Sequence, residues 1–221
     1  MTTFPAVALS RRSSGEEAAL YIRKLIFEGN LRPGERVPQD DVAQALGISR
    51  IPIREALVAL EQQGWVTVEK HRGAFVAVLD ERAVRDHYEL YGLVYGFAAR
   101  KAIERGERAL GDKLSQLARA FARAATPEEA NRLAIAFHSA VLDAASSPRI
   151  DVALRAMSAL VPGNFHTQVP NAAKLQRPGF TAIARAVRHG DADGAAQEYT
   201  KMMRRVASEV VVLFRDRGLF V

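Results

Sequence analysis

The sequence contains no cysteine, which excludes disulfide bonds, thiol redox switches and thiolate metal sites. It also lacks any uninterrupted apolar run of about 18 residues, the length that a transmembrane helix requires. No charged leader followed by an apolar stretch and a cleavage site opens the sequence, so we expect no export. These absences favour a cytoplasmic protein that has no membrane partner.

Charge of one sign is not concentrated in one part of the chain, although the formal net charge is +6 and the pI is near 9.9. Residues 1–78 contain ten Lys and Arg against nine Asp and Glu, which leaves a net charge of +1 for this stretch and +5 for the rest. An excess of positive charge suits nucleic acid. Because the excess is spread over the chain, the case for DNA depends on where individual arginines lie.

The first third of the chain has the pattern of a winged helix-turn-helix. Ala43, Gly47 and Ile53 stand at relative offsets 0, +4 and +10. They supply a small residue at the helix crossing, a turn residue tolerant of positive φ and a branched apolar residue behind the second helix. We predict a flexible tail over 1–14 and a DNA-binding domain over 15–78. Within that domain the periodicity predicts helices over 16–27, 40–46 and from Ser49 to Gly64, then strands over 65–69 and 74–78.

The N-terminal end of the third helix carries the candidate DNA contacts. If Ser49 caps this helix, Arg50, Ile51 and Arg54 leave its solvent-facing side, and recognition helices touch base edges with their N-terminal residues. An arginine there can hold guanine O6 and N7 with two hydrogen bonds. The hairpin tip can enter the adjacent minor groove. The predicted DNA-binding residues are Ser49, Arg50, Ile51, Pro52 and Arg54 on the helix and His71, Arg72 and Gly73 on the wing.

Other interpretations of these residues stay open at the level of the sequence. Arg54 and Glu55 can form local surface ion pairs, and Arg72 can be a solvated hairpin residue. Glu35, Asp40 and Asp41 would repel phosphate if their carboxylates faced it. Some winged helices bind protein instead of DNA.

From about residue 79 onward the sequence is rich in Ala, Arg and Leu and contains no convincing strand. Its breaks include Gly106, Pro170 and Pro178, and such a region forms a helical bundle. The predicted fold is therefore mainly α, a winged helix-turn-helix over 15–78 followed by an all-α domain over 79–221. The roughly six predicted helices span about 82–105, 108–124, 127–145, 149–161, 179–189 and 192–216.

Two stretches of the first domain, LRPGERV at 31–37 and VAQALGISRIPIREALVALEQQG at 42–64, closely resemble the N-terminal domain of GntR-superfamily transcription regulators. The helical remainder, from about 82 to 217, resembles the C-terminal FCD domain of the FadR-type subfamily. This resemblance implies a homodimer that binds a palindromic operator in double-stranded DNA. It also implies that a small-molecule effector binds the helical domain and changes the affinity for DNA. We expect a repressor, since a bound dimer can occlude a promoter without touching polymerase.

The resemblance also implies a metal site, and here the sequence departs from the family. FCD domains often hold a divalent metal between one aspartate and three histidines, and His138, which follows a phenylalanine, fits the first histidine. The other three positions correspond to Ala134, Phe180 and Met202, which are apolar. A single imidazole cannot retain Zn²⁺. We therefore predict no metal and no cofactor, and a non-standard site that joins His166 to His138 stays open.

A second departure concerns the first helix of the bundle. Where many FCD domains carry an arginine and, four residues on, a glutamate, this chain carries Tyr91 and Tyr95. Together with Tyr88 they share one side of a helix, which is also typical of core packing or of a dimer interface. The alternative is a pocket for an apolar or uncharged effector, such as an aromatic or acyl compound. Its predicted residues are Tyr91, Tyr95, His138, His166, Phe180 and Met202.

We predict that the protein is not an enzyme and has no catalytic residue. The sequence offers no phosphate-binding glycine loop, no histidine pair at helical spacing and no nucleophile beside an evident base. Two alternatives to a ligand-responsive regulator stay open: a metal-dependent sensor of a small carboxylate, and an architectural DNA binder whose helical domain ignores small molecules. Dimerisation is expected because one winged helix reads only a few base pairs. Either the final helix or the first bundle helix can supply the interface.

Overall fold

The chain divides into two compact units, and the division falls between Ala77 and Val78. The predicted flexible tail over 1–14 lies almost entirely outside the described residues. The computed structural model describes residues 13–106, 109–157, 160–161, 164–169 and 171–220.

The first unit is a winged helix, as the sequence predicts. Ile53 and Leu60 of the third helix are buried together with Ile22 of the first, so the predicted apolar face forms the core. The first helix begins two residues before its predicted start because Ser13 and Glu16 form a capping box around its first turn. The elements are α1 (Ser14–Phe27), α2 (Gln39–Leu46), α3 (Arg50–Gln62), β1 (Val66–Glu69) and β2 (Gly73–Val76).

The turn between α2 and α3 has the conformation that the sequence predicts. Gly47 ends α2 with φ 65° and ψ 32°, a left-handed conformation that glycine adopts without steric strain. Its N–H donates to the carbonyl of Gln44 at 3.2 Å. The chain therefore turns within three residues, and α3 begins at Arg50.

The wing is paired on both sides of its second strand. β1 and β2 are antiparallel, with Glu69 opposite Gly73. On the other edge of β2, the N–H of Val37 donates to the carbonyl of Ala74 at 2.8 Å. The segment that leads into α2 is thus tied to the wing, which brings residues 34–37 to the same surface as the hairpin.

The second unit is a helical bundle, as the sequence predicts. Its elements are α4 (Glu81–Glu104), α5 (Leu110–Arg123), α6 (Pro127–Ala145), α7 (Pro148–Met157), α8 (Phe165–Gln168), α9 (Ala172–Arg188) and α10 (Ala192–Asp216). The long helices α4 and α10 pack along each other, α10 also contacts α9, and α5 packs against α6 and α9. A Cβ atom at Gly92 or Gly96 would lie 3.0 Å from a Cα atom of α10, so these glycines permit the close approach. No helix among the described residues combines the length and the apolar character needed to cross a membrane.

Helix α9 differs from the prediction, because it begins at Ala172 and runs through Pro178. The predicted break at Pro178 and the helix start at 179 are therefore wrong. Proline removes the hydrogen bond to the carbonyl four residues before it, here that of Lys174. Both Pro178 and Lys174 are exposed, so water can satisfy the freed carbonyl and the helix continues.

The one-turn helix α8 was not predicted, and the helix predicted over 149–161 ends earlier, at Met157. The side chain of Asn164 begins α8 by accepting a hydrogen bond from the backbone N–H of His166 at 3.0 Å. This cap places His166, which the sequence assigned to a connection, on a short helix where its side chain is buried.

Candidate functional site

The exposed end of α3 presents two arginines beside a cleft. Arg50 and Arg54 lie about one helical turn apart, and both are exposed. They line a cleft of about 460 Å³ together with Arg36, from the segment before α2, and with Asp40 and Asp41 at the start of α2. Ile51 is 68% exposed, so its side chain is available for an apolar contact such as a thymine methyl group. Three guanidinium groups at one surface can bind phosphates and base edges.

Arg50 forms an ion pair with Asp40 at the start of α2. The two side chains are 63% and 64% exposed, and exposed pairs contribute only about 0–1 kcal/mol. A phosphate or a guanine can therefore take the place of Asp40. Within the described residues Arg54 has no ion-pair partner, so its guanidinium is free on the same face.

The first turn of α3 is open to an anion. Ser49 occupies the N-cap position with extended backbone, at φ −77° and ψ 170°. Within the part of the chain that the structure describes, its hydroxyl makes no capping hydrogen bond. Pro52, half-buried, lies in the first turn, where a missing N–H removes no helical hydrogen bond. The hydroxyl and the remaining first-turn N–H groups can therefore hold a phosphate oxygen.

The wing tip is ordered by contacts within the hairpin. His71 is exposed in the turn and has φ 65°. Arg72 pairs with Glu69, and its guanidinium carbon lies 5.6 Å from the centre of the Phe75 ring. The Arg72 side chain is still 71% exposed, so the positive charge is held at the tip and faces solvent.

Arg36 is a candidate contact that the sequence reasoning missed. A Cβ atom at Gly73 would lie 2.9 Å from Arg36 Nε, so the glycine leaves room for this side chain. Gly73 also has φ 110°, which favours glycine independently. Arg36 lies within the LRPGERV stretch, and its link to the site depends on the pairing of residues 34–37 with the wing, which no local pattern reveals.

A cavity of about 240 Å³ opens in the second unit among α4, α6, α8, α9 and α10. This volume corresponds to about eight water molecules at about 30 Å³ each, which suits a small metabolite. Four predicted effector residues come together here, namely Tyr91, Tyr95, His138 and His166. None of the described residues that line the cavity is Lys, Arg, Asp or Glu.

Phe180 and Met202 lie behind the cavity wall and are fully buried. The Phe180 ring stacks on Phe137 at 4.3 Å between centroids and lies 5.3 Å from the His138 ring. Met202 packs against Gly179, where a Cβ atom would lie 2.6 Å from the Met202 sulfur. The two residues support the site from behind and are not among its lining.

His138 is an uncharged imidazole inside an aromatic cluster. Its ring centroid lies 4.5 Å from that of Tyr95 and 5.8 Å from that of Tyr199. Burial and, to a smaller extent, the nearby His166 lower the pKa of His138 from 6.5 to about 4. Its Nδ1 atom is buried and has no hydrogen-bond partner among the described residues. Such a ring can hydrogen-bond an uncharged ligand.

His166 is held by two amide side chains. Its Nδ1 lies 3.2 Å from Asn131 Oδ1 and its Nε2 lies 2.8 Å from Gln176 Oε1. Burial lowers the pKa of His166, and the hydrogen bond with Gln176 opposes that effect. A neutral imidazole donates at one nitrogen and accepts at the other, so one amide turns its NH₂ group towards the ring. With both nitrogens engaged, His166 can ligate a metal only by breaking one of these hydrogen bonds.

The two predicted tyrosines form one unit. The ring centroids of Tyr91 and Tyr95 lie 5.2 Å apart in an edge-to-face arrangement. Burial raises the pKa of both, so both are protonated phenols at neutral pH. Tyr88 and Tyr95 are buried, which agrees with the core interpretation, and both also border the cavity together with the half-buried Tyr91.

The polar lining residues that sequence reasoning missed include His87, Asn131 and Gln176. Helical spacing offered a signal for two of them. His87 precedes Tyr91 by four residues on α4, and Asn131 precedes His138 by seven on α6. Gln176 lies in the part of α9 that was not predicted as helix, so no signal was available.

The residues present do not fit the metal that the FCD resemblance implies. A stable Zn²⁺ site needs at least three protein ligands. Among the described residues, no group of three or more His, Cys, Asp or Glu could hold an ion. Ala134, Phe180 and Met202 offer neither an imidazole nor a carboxylate beside His138.

Comparison with known proteins agrees with this architecture. The profile of bacterial regulatory proteins of the gntR family matches residues 14–76, and that of the FCD domain matches residues 86–205. An HTH-type transcriptional regulator of Mycobacterium tuberculosis is 31% identical over 206 residues, which cover 92% of this chain and 84% of that protein. The gluconate operon transcriptional repressor of Bacillus subtilis is 26% identical over 144 residues, or 64% of this chain and 59% of that protein.

A solved structure shows the same fold. The structure of Escherichia coli McbR/YncC matches with a TM-score of 0.62 at 18% identity and covers 93% of this chain and 99% of its own. The curated relatives are transcriptional regulators and not enzymes. A winged helix matched by one profile and a helical bundle matched by the other account for both units. The protein therefore belongs to the GntR family of bacterial regulatory proteins and is a FadR-like DNA-binding regulator with a C-terminal FCD domain.

Proposed function

We propose that the protein is a homodimeric repressor that binds a palindromic operator and loses affinity for it when a small molecule enters the FCD cavity. It would act in the cytoplasm, where the operator is accessible. The observation that carries the proposal is the exposed pair Arg50 and Arg54 at the N-terminal end of α3, beside Arg36. Support for repression comes from the gluconate operon repressor of Bacillus subtilis, which is 26% identical over 144 residues.

In the proposed complex α3 lies in the major groove with its N-terminal turn at the base edges. Arg50 exchanges Asp40 for guanine, and Arg54 makes a second base or phosphate contact one turn further on. Each good bidentate pair contributes about 1–3 kcal/mol of discrimination against other bases. The wing residues His71, Arg72 and Gly73 approach the adjacent minor groove, where the exposed charge of Arg72 meets phosphate.

We propose that dimerisation uses the outward face of α4. Leu90, Leu93 and Phe97 are 51%, 54% and 49% exposed and follow each other at spacings of three and four, so they form one apolar stripe. The sequence left α4 and α10 as alternatives. The exposed side of α10 carries Lys201 and Arg204, which favours α4 as the apolar interface.

The charges at the two ends of this stripe are complementary if α4 pairs antiparallel with α4 of a second copy. A two-fold axis between Leu93 and Val94 sets Asp86 opposite Lys101 of the partner subunit. Both side chains are exposed or partly exposed, at 70% and 34%. A two-fold interface uses the same patch on both subunits, so each pairing occurs twice.

Selection of duplexes from a random library, followed by fluorescence anisotropy, tests the proposal. We expect selected sites to share an inverted repeat. Arg50→Ala and Arg54→Ala should each weaken operator binding by about 5- to 150-fold, which corresponds to a loss of about 1–3 kcal/mol. Arg119→Ala, at an exposed arginine of α5, is the matched control and should bind as the wild type does.

The main alternative is an architectural DNA binder with an inert helical domain. It predicts no shared sequence among the selected duplexes and similar affinities for operator and random DNA. Full operator affinity in both arginine variants would show that α3 is not the recognition helix.

A further inference from the structure

We propose that the effector is an uncharged small molecule with an apolar, preferably aromatic, body and a hydrogen-bonding group, and that it binds without a metal ion. This inference rests on the proposed sensor function and adds the chemical class of the ligand. It departs from a metal-chelated carboxylate, which the FCD resemblance would imply.

The first argument is the lack of a counter-charge. None of the described lining residues is Lys, Arg, Asp or Glu. The undescribed positions that fall between α7 and α9 in the chain, 158, 159, 162, 163 and 170, carry no ionisable side chain. A carboxylate taken out of water needs a cation or several donors in compensation. An uncharged ligand needs neither.

The second argument is that the cavity histidines do not supply the missing charge. Burial lowers the pKa of His87 and of His138 to about 4, so both rings are neutral near pH 7. His166 is fixed between Asn131 and Gln176, with its two ring nitrogens engaged. The imidazoles therefore act as neutral polar groups in the cavity wall.

The third argument is the chemical character of the side chains that line the cavity. Tyr91, Tyr95 and Phe165 present aromatic surface, which suits a flat or apolar body. Tyr91 is the half-buried phenol of the lining, so its hydroxyl is the polar group that we expect to orient a ligand. His138 Nδ1 has no partner among the described residues, but it is buried, so a ligand reaches it only where the cavity wall opens at that atom.

The test compares matched acid and amide fragments, such as benzoic acid with benzamide, across a collection built from such pairs. Thermal unfolding of the metal-stripped full chain is measured at pH 7.5, where the acids are anions and the amides are neutral. A compound that binds only the folded state raises the Tm. We expect amides to raise the Tm and to bind more than about tenfold tighter than their acids, because the acids bury an unpaired charge. A second series contains Zn²⁺ and should give the same ranking.

Three variants locate the binding. Ser139 is exposed and borders the cavity, so Ser139→Trp should block the entrance and abolish the Tm shift. Thr181→Trp, at an exposed position of α9, is its matched control and should keep the shift. Tyr91→Phe removes only the hydroxyl and should weaken amide binding about 3- to 10-fold if that group orients the ligand.

The outcomes distinguish a failure of the proposed ligand class from a failure of the proposed sensor function. Acids that bind as well as their amides would overturn the uncharged class, and acids that bind only with Zn²⁺ would show a metal-dependent sensor. Both of these leave the sensor function standing. If no fragment of either kind shifts the Tm, the proposed sensor function itself is contradicted. A shift that survives Ser139→Trp would place the ligand outside this cavity and overturn the inference.

Discussion

At the scale of single residues, the ion pair between Arg50 and Asp40 determines how much free energy is needed to release Arg50 for a contact with DNA. The pair is exposed on both sides, so breaking it costs at most about 1 kcal/mol. Guanine offers Arg50 two hydrogen bonds in exchange. Asp40 therefore neutralises Arg50 in the free protein without preventing its use on DNA.

The buried neutral state of His138 predicts a loss of stability in weak acid. The pKa of His138 is lowered from 6.5 to about 4 in the folded protein, so between these values the unfolded chain binds the proton first. The free energy of unfolding should therefore fall as the pH drops from about 6.5 to about 4 and should be flat above that window. His138→Leu should reduce this fall, as measured by thermal unfolding between pH 4.5 and 7.5.

The other groups near His138 determine how much pH dependence of stability remains in the His138→Leu variant. Tyr95 and Tyr199 stay protonated in this range because burial raises their pKa values, and Phe180 does not titrate. His87 and His166 have lowered pKa values of their own, so part of the pH dependence should persist in the variant. A pH profile of His138→Leu identical to that of the wild type would show that His138 does not titrate as a buried base.

Residue roles that depend on a local pattern could be predicted from the sequence. The left-handed turn at Gly47 and the exposed position of Arg50 both follow from one continuous motif. Arg36 and Gln176 could not be predicted, since they reach their sites through strand pairing and helix packing between distant segments. The same applies to the contact of His166 with Asn131, which lies 35 residues earlier in the chain.

At the scale of elements, α4 has three different sides. Gly92 and Gly96 lie against α10, Tyr91 and Tyr95 face the cavity, and the Leu93 side is exposed. A ligand that displaces the side chains of Tyr91 and Tyr95 therefore acts on α4, the helix that we propose as the dimer interface. We therefore expect α4 to be the element that carries the effector signal.

A carboxylate in the middle of the α4 stripe should break the dimer. Leu93→Asp would bury two charges at the two-fold axis, so the dimer dissociation constant should rise more than about tenfold, which corresponds to at least about 1.4 kcal/mol. Analytical ultracentrifugation over a concentration series measures this constant. Val212→Asp is the matched control, since Val212 is 46% exposed on α10 and should not affect the dimer.

Charge reversal tests the antiparallel arrangement itself. Lys101→Glu should weaken the dimer because it faces Asp86 of the partner subunit, and the combination with Asp86→Lys should restore it. A dimer that tolerates Leu93→Asp, or a double variant no better than Lys101→Glu alone, would contradict pairing through this face.

Elements with strong periodicity and clear caps could be predicted closely. The predicted bounds of α6 and α10 match the structure, and their capping residues, Thr126 and Asp191, begin them with side-chain hydrogen bonds. The start of α9 could not be predicted, because Pro178 is a helix breaker by local rules and is tolerated here only through its exposed position. The start of α9, and with it the position of Gln176, therefore depends on tertiary structure and not on local sequence.

At the scale of the whole molecule, the proposed repressor is a linked equilibrium between DNA binding and effector binding. If the effector lowers the operator affinity by some factor, DNA must lower the effector affinity by the same factor. Typical couplings correspond to about 1–3 kcal/mol, or roughly 5- to 150-fold. The dissociation constants for the operator and for the effector, each measured with and without the other ligand, are therefore enough to define the coupling.

The most direct test of this switch is operator affinity measured by fluorescence anisotropy with and without a saturating cavity ligand from the amide series. The proposed coupling predicts that the ligand weakens operator binding by the wild-type protein at least about fivefold. It predicts no effect on Ser139→Trp, whose cavity is blocked. An operator affinity that stays unchanged while the ligand occupies the wild-type cavity would contradict the central claim that the FCD domain controls DNA binding.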